Sequence, residues 1–501
     1  LKIKISRSSA SVILFACIAG LSGVFSQQQY GIWPLIFVFV SFQIYFLENF
    51  RKLKSKEYKV AFITSWVIYA VGMCSWLSLF GVPALIAFVA IQIVFAYLFF
   101  EGITRVPIKL PIFIIYPFCW VVFEFIQANL PYISFSWLTY STTLVQTPIS
   151  QIARIGGGAL LTFTIVFVSV FIFMIFDYFN SESKSTKEFK HPLFVLTFIL
   201  LISFYFLAPI TLHDTEGKKL VTTIQGNDKN RYLTQEELED EYIENSHLDL
   251  ASQIDFKSDV LIFPESAFND DPEDDEELKS ALSNSAKQTR NVMVLNSIAT
   301  ENNKDFNRNY FYDNKMNLLG TYDKKRLVPF GEYVPLDSLI GSWSIFDEIG
   351  TGFSPGAKDE TIRGVTTLIC FESAFSSDVR QALNKDSRLL VITTNNRSYQ
   401  RTGNSVQHRT LTQLRSIENG IASVHASVSG SSALIERDGK IVSQTELFER
   451  TVISEELSWG RPDSIYAKIG DWLSLLALLV VIYLYLSSKG KSTWRSRTSK
   501  K

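Results

Sequence analysis

Eight apolar stretches constrain this chain more than any other feature. They run over about 10–26, 31–48, 60–79, 82–100, 110–127, 159–177, 192–211 and 470–487. Each approaches the roughly 20 residues that a helix needs to cross a bilayer, where every backbone polar group must be satisfied within the segment. Seven precede a strongly polar region and one follows it. With 40 phenylalanines in 501 residues and a positive mean hydropathy, the chain is too apolar to be soluble domains alone. The pattern predicts an α-helical membrane domain of seven helices (1–211), a soluble domain (212–466), and an eighth helix with a basic tail (467–501). A net charge of −1 gives no reason to expect nucleic acid as a partner.

Loop charges predict the orientation. Lys2, Lys4 and Arg7 precede the first span, and Arg51, Lys52, Lys54, Lys56 and Lys59 fill the second loop. Arg105 and Lys109 sit in the fourth, Lys184, Lys187 and Lys190 in the sixth, and Lys489, Lys491, Arg495, Arg497, Lys500 and Lys501 in the tail. The other short loops hold little Lys or Arg apart from Arg154. Eight spans with both termini cytoplasmic put every basic loop on one side, and the soluble region then lies outside the cytoplasm. Leu14-Phe15-Ala16-Cys17 loosely resembles a lipoprotein cleavage box, but the apolar run continues past Cys17, which favours a first membrane helix. In the fifth loop, Phe135-Ser136-Trp137 reads either as an interfacial anchor or as a lipid-binding rim. Glu124 is a candidate for a buried polar contact, and Gly156-Gly157-Gly158 suits a turn or close helix packing rather than a phosphate cradle.

In the polar region, β-rich runs at Leu220–Ile224, Val260–Phe263, Val292–Ser297, Thr366–Cys370 and Leu389–Thr394 alternate with helical patterns at Glu236–Gln253, Asp275–Arg290, Ser377–Lys385 and Gln407–Asn419. Such alternation predicts a layered α/β domain. The acidic run Asp270–Glu277 reads as a solvated loop and a charged first helical turn, since it lacks calcium-loop spacing.

Four cysteines are present; Cys17, Cys74 and Cys119 lie in apolar runs, so Cys370 is the only thiol of the soluble region. The bland reading is a small buried hydrophobe. Yet Cys370 ends an apolar strand at a polar turn, where a nucleophile is well presented, and an unpaired thiol in an oxidising compartment points to a task. Glu265, in Phe263-Pro264-Glu265-Ser266, ends the second strand and suits a general base. Lys324 opens Lys324-Lys325-Arg326-Leu327-Val328-Pro329-Phe330-Gly331-Glu332-Tyr333-Val334-Pro335, a basic cluster joined to a loop of fixed shape. A carboxylate can take the thiol proton, and an ammonium can stabilise the oxyanion of a tetrahedral intermediate. No histidine spacing suits a metal, and no Gly-x-Ser-x-Gly elbow occurs, so neither metal nor cofactor is expected.

Glu265, Lys324 and Cys370 resemble, in order and spacing, the Glu–Lys–Cys triad of the nitrilase superfamily. Leu327-Val328-Pro329-Phe330-Gly331-Glu332-Tyr333-Val334-Pro335 resembles the hallmark of its apolipoprotein N-acyltransferase branch. Gln225-Gly226-Asn227, Arg415-Ser416-Ile417-Glu418 and Asp438-Gly439 fit as well. The resemblance implies an extracytoplasmic αββα sandwich on eight membrane helices, in a bacterial inner membrane, acting as a monomer on a phospholipid donor and a diacylated apolipoprotein acceptor. It implies that Cys370 forms an acyl-thioester which the acceptor's α-amine attacks, with Glu265 as base and Lys324 plus a backbone N–H after Cys370 as oxyanion stabilisers. Glu332, Glu372, Phe371 and Asn309 match supporting positions. Departures stand at Asn396 and Ser398, where the family reads Asp and Trp, at Arg326 (His), at Phe371 (Tyr), at Ser136 (Pro) and after Asn227. A membrane-tethered amidase with water as acceptor, or a non-catalytic scaffold, are the alternative readings.

Overall fold

The computed structural model describes residues 9–106, 110–130, 134–180, 192–208, 215–230, 233–335 and 352–498. Lys2, Lys4, Arg7, Lys109, Lys184, Lys187, Lys190, Lys500, Lys501 and the end of the seventh apolar run lie outside these residues. The chain divides into two compact units. One comprises Leu1–Asn129, Ser136–Ile210 and Asp471–Lys501; the other comprises Leu130–Phe135 and Thr211–Gly470.

In the first unit, helices occupy all eight apolar stretches: Ser9–Phe25, Leu35–Leu53, Lys56–Cys74, Val82–Arg105, Ile112–Asn129, Ala153–Asn180, Pro192–Leu207 and Trp472–Thr498. Among the described residues, four helical segments are long and apolar enough to cross a membrane: Lys56–Phe80, Val82–Arg105, Ile112–Asn129 and Pro148–Phe179. Ser9–Phe25, Pro192–Leu207 and Trp472–Ser487 are shorter apolar helices. Glu124 makes the buried contacts its position suggests: it accepts the Tyr140 N–H at 2.8 Å and the Thr162 hydroxyl at 2.7 Å. These bonds tie short 3-10 turns between residues 136 and 152 to the bundle, satisfying backbone that an apolar environment would otherwise leave unpaired. Trp137, expected to face lipid headgroups, is instead buried with its ring 5.9 Å from that of Trp76. Gly157 has φ +65°, a left-handed turn that interrupts the Ala153–Asn180 helix near its start.

Among the described residues, the second unit is a sandwich of two six-stranded sheets. The first has the order β12-β1-β2-β3-β4-β5 and the second β11-β10-β9-β8-β7-β6. The strands are β1 (Lys218–Gln225), β2 (Ser258–Ile262), β3 (Thr289–Glu301), β4 (Lys304–Tyr312), β5 (Leu318–Asp323), β6 (Thr361–Ile362), β7 (Val365–Ile369), β8 (Leu389–Thr394), β9 (Ala422–Ser427), β10 (Ala433–Ile435), β11 (Ile441–Gln444) and β12 (Thr451–Ser458). In each sheet the central strands are parallel (β1-β2-β3 and β7-β8-β9) and the flanking pairs antiparallel.

Side chains alternate across the pleat, and here both faces are covered. Val260, Ile262, Val292 and Val294 point into a core shared with Val365, Val391, Val424 and Leu434 of the other sheet. Their neighbours Leu261, Phe263, Met293 and Leu295 face outward onto the helices Tyr242–Ser252 and Glu276–Lys287 through Leu250, Leu278 and Leu282. On the far side, the helices Ser376–Ala382 and Asn404–Asn419 pack on β7 and β9. The helix expected over Glu236–Gln253 is two, broken at Glu241 with φ +50°. Asp275 caps the Glu276–Lys287 helix by accepting the Glu277 and Leu278 N–H groups, so the acidic run serves as a helix start.

Candidate active site

β2 ends at Ile262, and Pro264 then sends the chain into a turn where Ser266 has φ +55° and its N–H donates to Asn296 Oδ1 at 2.8 Å. That turn aims the Glu265 carboxylate inward, 4% exposed. Its Oε1 accepts from Asn307 Nδ2 at 2.7 Å and lies 3.4 Å from Lys324 Nζ; its Oε2 accepts the Asn395 N–H at 2.7 Å.

Lys324 directly follows β5 and is 1% exposed. Its backbone is fixed by bonds to the Asn307 carbonyl and from the Gly356 N–H, each 2.9 Å long. Its Nζ donates to Glu332 Oε1 at 2.7 Å, while Glu332 Oε2 accepts the Val328 N–H at 2.7 Å. Glu332 therefore folds the Pro- and Gly-punctuated loop back onto the ammonium. Within that loop the Phe330 N–H donates to the Tyr333 carbonyl at 2.8 Å, and Phe330 takes φ +61°.

Cys370 is the first residue after β7 and opens a 3-10 turn with φ +53°, a backbone that L side chains rarely adopt. Glu372 holds this turn: it accepts the Ile369 N–H at 2.8 Å, the Lys325 N–H at 2.9 Å, the Arg326 N–H at 3.0 Å and the Tyr322 hydroxyl at 2.9 Å. Strain of this kind persists only where surrounding bonds over-determine it, and it presents the side chain at the strand end. The Thr394 hydroxyl lies 3.5 Å from Cys370 Sγ.

Glu265, Lys324 and Glu332 all act electrostatically on that sulfur. Burial and the Glu265 carboxylate push the thiol up to about 12, against the opposing pull of Lys324 and the Thr394 hydroxyl. Burial draws Lys324 down, but Glu265 and Glu332 outweigh it and hold the ammonium well above its ordinary value. Burial thus favours the protonated thiol, while the two carboxylates favour the charged ammonium beside it.

Of the residues singled out in the sequence, Glu265, Lys324, Glu332 and Cys370 converge, and Glu372 secures the turn beneath them. Phe371 packs edge-on against Phe375, with ring centroids 5.0 Å apart. Asn309 stands further out: its Oδ1 accepts from Asn296 Nδ2 at 3.0 Å and from the Thr393 hydroxyl at 3.1 Å. Its neighbour Asn307 is the residue that touches Glu265. Sequence reasoning missed Asn307, Asn296, Thr394 and His408. The signal available was Asn307 and Asn309 two apart in one strand, which places both on one face. Arg326 pairs with Asp378 and lies 4.0 Å above the Phe375 ring. Among the described residues, no group of three or more His, Cys, Asp or Glu could hold a metal ion.

Two family models match the chain: the apolipoprotein N-acyltransferase N-terminal domain over residues 19–171 and the carbon-nitrogen hydrolase over 222–464. Among curated proteins, the chain is 29% identical to the apolipoprotein N-acyltransferase of Geobacter metallireducens, covering 95% of each chain. It is 28% identical to that of Haemophilus influenzae, covering 93% of this chain and 94% of the relative. Among solved structures, Nit3 of Saccharomyces cerevisiae, a nitrilase-superfamily member, matches at 16% identity and a TM-score of 0.37, over 51% of this chain and 96% of that one.

Proposed function

The chain belongs to the apolipoprotein N-acyltransferase family, and on that premise we propose that it acylates the N-terminal α-amine of diacylglyceryl-cysteine lipoproteins, drawing the acyl group from a membrane phospholipid through a thioester on Cys370. The observation that carries the reading is the convergence of a carboxylate, an ammonium and a thiol on one strained turn, in a chain similar to these enzymes over 95% of its length.

In the first half-reaction Cys370 Sγ attacks the ester carbonyl of the phospholipid. The thiol proton passes to Glu265 Oε, and the oxyanion is met by Lys324 Nζ and the Phe371 N–H. Collapse breaks the C–O bond, Glu265 returns the proton to the departing alkoxide, and a lysophospholipid leaves. In the second half the α-amine attacks the thioester, Glu265 takes its proton and returns it to sulfur, and an amide forms. Glu332 holds Lys324 in place, and Asn307 with the Asn395 N–H holds Glu265. Oxyanion stabilisation and proton transfer thus fall to separate groups.

The charge pattern of the loops supports an arrangement with eight spans, basic loops on the cytoplasmic face and the catalytic unit on the opposite side of a bacterial inner membrane. On this reading the domains run over 1–211, 212–466 and 467–501, and the enzyme works as a monomer. Incubation with acyl-labelled phosphatidylethanolamine and a diacylated lipopeptide tests the chemistry. Label should appear on Cys370 and move to the peptide amine, and Cys370→Ala should abolish both. Release as free fatty acid without peptide labelling would make the protein a hydrolase and overturn the proposal.

A further inference from the structure

Asparagines on two neighbouring strands lead from the turn that carries Glu265 back to the Glu265 carboxylate, and the acyl-transfer scheme uses only one of them. Asn296 on β3 and Asn307 and Asn309 on β4 share one face of the first sheet, with Asn296 directly opposite Asn309. They are 1%, 7% and 0% exposed.

One backbone group sets the direction of every bond between them. The Ser266 N–H can only donate, and it takes Asn296 Oδ1 at 2.8 Å. The Asn296 NH2 is then left for the other side, where its two hydrogens go to Asn307 Oδ1 at 2.8 Å and Asn309 Oδ1 at 3.0 Å. With its oxygen taken, Asn307 presents its own NH2 to Glu265 Oε1 at 2.7 Å and to Glu332 Oε1 at 3.4 Å. Because Ser266 follows Glu265 in the chain, these bonds close a ring in which every donor points the same way and the last acceptor is the carboxylate. Turning Asn296 over would set its NH2 against the Ser266 N–H and its oxygen against Asn307 Oδ1. Turning Asn307 with it would put an oxygen against the Glu265 carboxylate. Asn309 yields to the same order: its Oδ1 accepts from Asn296 and from the Thr393 hydroxyl, at 3.1 Å, although its buried Nδ2 then has no partner among the described residues. Bonds in series polarise one another, and the final one is charge-assisted, so the ring concentrates its donor strength on Glu265.

We propose that Asn296 is a positioning residue for the acylation step, holding the Asn307 amide with its NH2 on Glu265 and so fixing the aim of the base, on the reading that Cys370 is the nucleophile and Glu265 takes its proton. No bond to Asn296 or Asn307 forms or breaks. The proton leaving sulfur goes to the Glu265 carboxylate, and both amides keep their hydrogens throughout. Without Asn296, Asn307 Oδ1 loses its buried donor and nothing on β3 stops the amide from turning off the carboxylate.

The test uses the full chain in detergent micelles. Acyl-labelled phosphatidylethanolamine delivers label to Cys370 in a single turnover, and steady-state transfer to a diacylated lipopeptide gives kcat and KM. Iodoacetamide alkylation of Cys370 at pH 8, followed by peptide mass spectrometry, reports on the thiol itself. Asn296→Leu should slow single-turnover acylation about tenfold, a part of the roughly 10²–10⁴ that a positioned general base contributes. It should lower kcat with KM for phospholipid unchanged, and leave alkylation within about twofold of the parent. Asn296→Ser, too short to bridge Ser266 and Asn307, should behave alike and guards against a Leu variant that does not fold. The Asn296→Leu/Asn307→Leu pair should be no slower than Asn307→Leu alone, because Asn296 acts through Asn307. Asn296 variants as fast as the parent, a pair slower than Asn307→Leu by the full Asn296 factor, or a loss confined to KM would each overturn the proposal. Absence of acyl label on Cys370 in the parent would bring down the acyl-transfer reading as well. A labelled parent with an overturning variant pattern would bring down the role of Asn296 alone.

Discussion

Replacing Lys324 with Met removes a cation that bridges the buried carboxylate of Glu265 and the half-buried carboxylate of Glu332. Its Nζ lies 2.7 Å from Glu332 and 3.4 Å from Glu265, and its side chain is 1% exposed. At an effective dielectric of about 20 these contacts are worth about 6 and about 5 kcal/mol of gross attraction. Desolvating three ions costs several kcal/mol each, so the intact cluster contributes little net stability. Breaking it is another matter, because the Glu265 carboxylate stays buried without its cation, at about 3–5 kcal/mol. For a unit of this size that lowers the thermal midpoint by about 6–20 °C. Activity should fall about 10²–10³-fold through loss of the oxyanion donor. The second variant, Lys324→Met/Glu332→Gln, separates the two effects: neutralising one carboxylate should recover part of the midpoint and none of the activity. Midpoints read by tryptophan fluorescence in micelles, with label transfer from phospholipid to Cys370, supply both measurements. A single variant as stable as the parent, or a double variant that regains acylation, would refute the reasoning.

Other expectations follow from particular contacts. Asn307→Leu removes the 2.7 Å bond to Glu265 and should cut acylation at least tenfold with Cys370 alkylation little changed, as single-turnover label transfer would report. Burial, with Glu241, Asp270 and Asp275 nearby, raises Glu244 to about 7 against the opposing Asn269 N–H. With an ordinary value of 4.5, the folded state binds more protons between those limits, so stability falls as pH rises through that window, by up to about 3 kcal/mol. Glu244→Gln should therefore raise the thermal midpoint at pH 8 and hardly change it at pH 5. A Cβ on Gly226 would lie 2.5 Å from the ring of His247, whose Nε2 accepts the Gly226 N–H at 3.1 Å. Gly226→Ala should cost about 1–3 kcal/mol in chemical denaturation.

The apolar helices were legible because length and apolarity carry the signal, and β1, β2, β3, β7 and β8 because they carry runs of apolar and β-branched residues. The edge and returning strands were not. β4, β11 and β12 carry Lys304, Asp305, Ser443, Glu455 and Glu456, polar residues that read as loop until pairing supplies their hydrogen bonds. Glu265, Lys324 and Cys370 could be singled out because their residue types are chemically distinctive. Asn307 could not be told from Asn309 in advance, since the choice depends on the β3–β4 register, which sets Asn309 opposite Asn296 and Asn307 opposite Ile298. His408 was hidden because an isolated histidine in a helix shows nothing of the strand turn it meets 38 residues upstream.

The pair of oxygens on Glu265 has a consequence for how this enzyme fails. One oxygen is held by Asn307 of the first sheet and the other by the backbone of Asn395, at the end of a strand in the second. The proposed base is therefore a rivet through the seam of the sandwich, and its aim registers any sliding of one half against the other. Heat, detergent or a distant substitution that shears the halves by a fraction of an ångström should silence the chemistry well before either sheet comes apart.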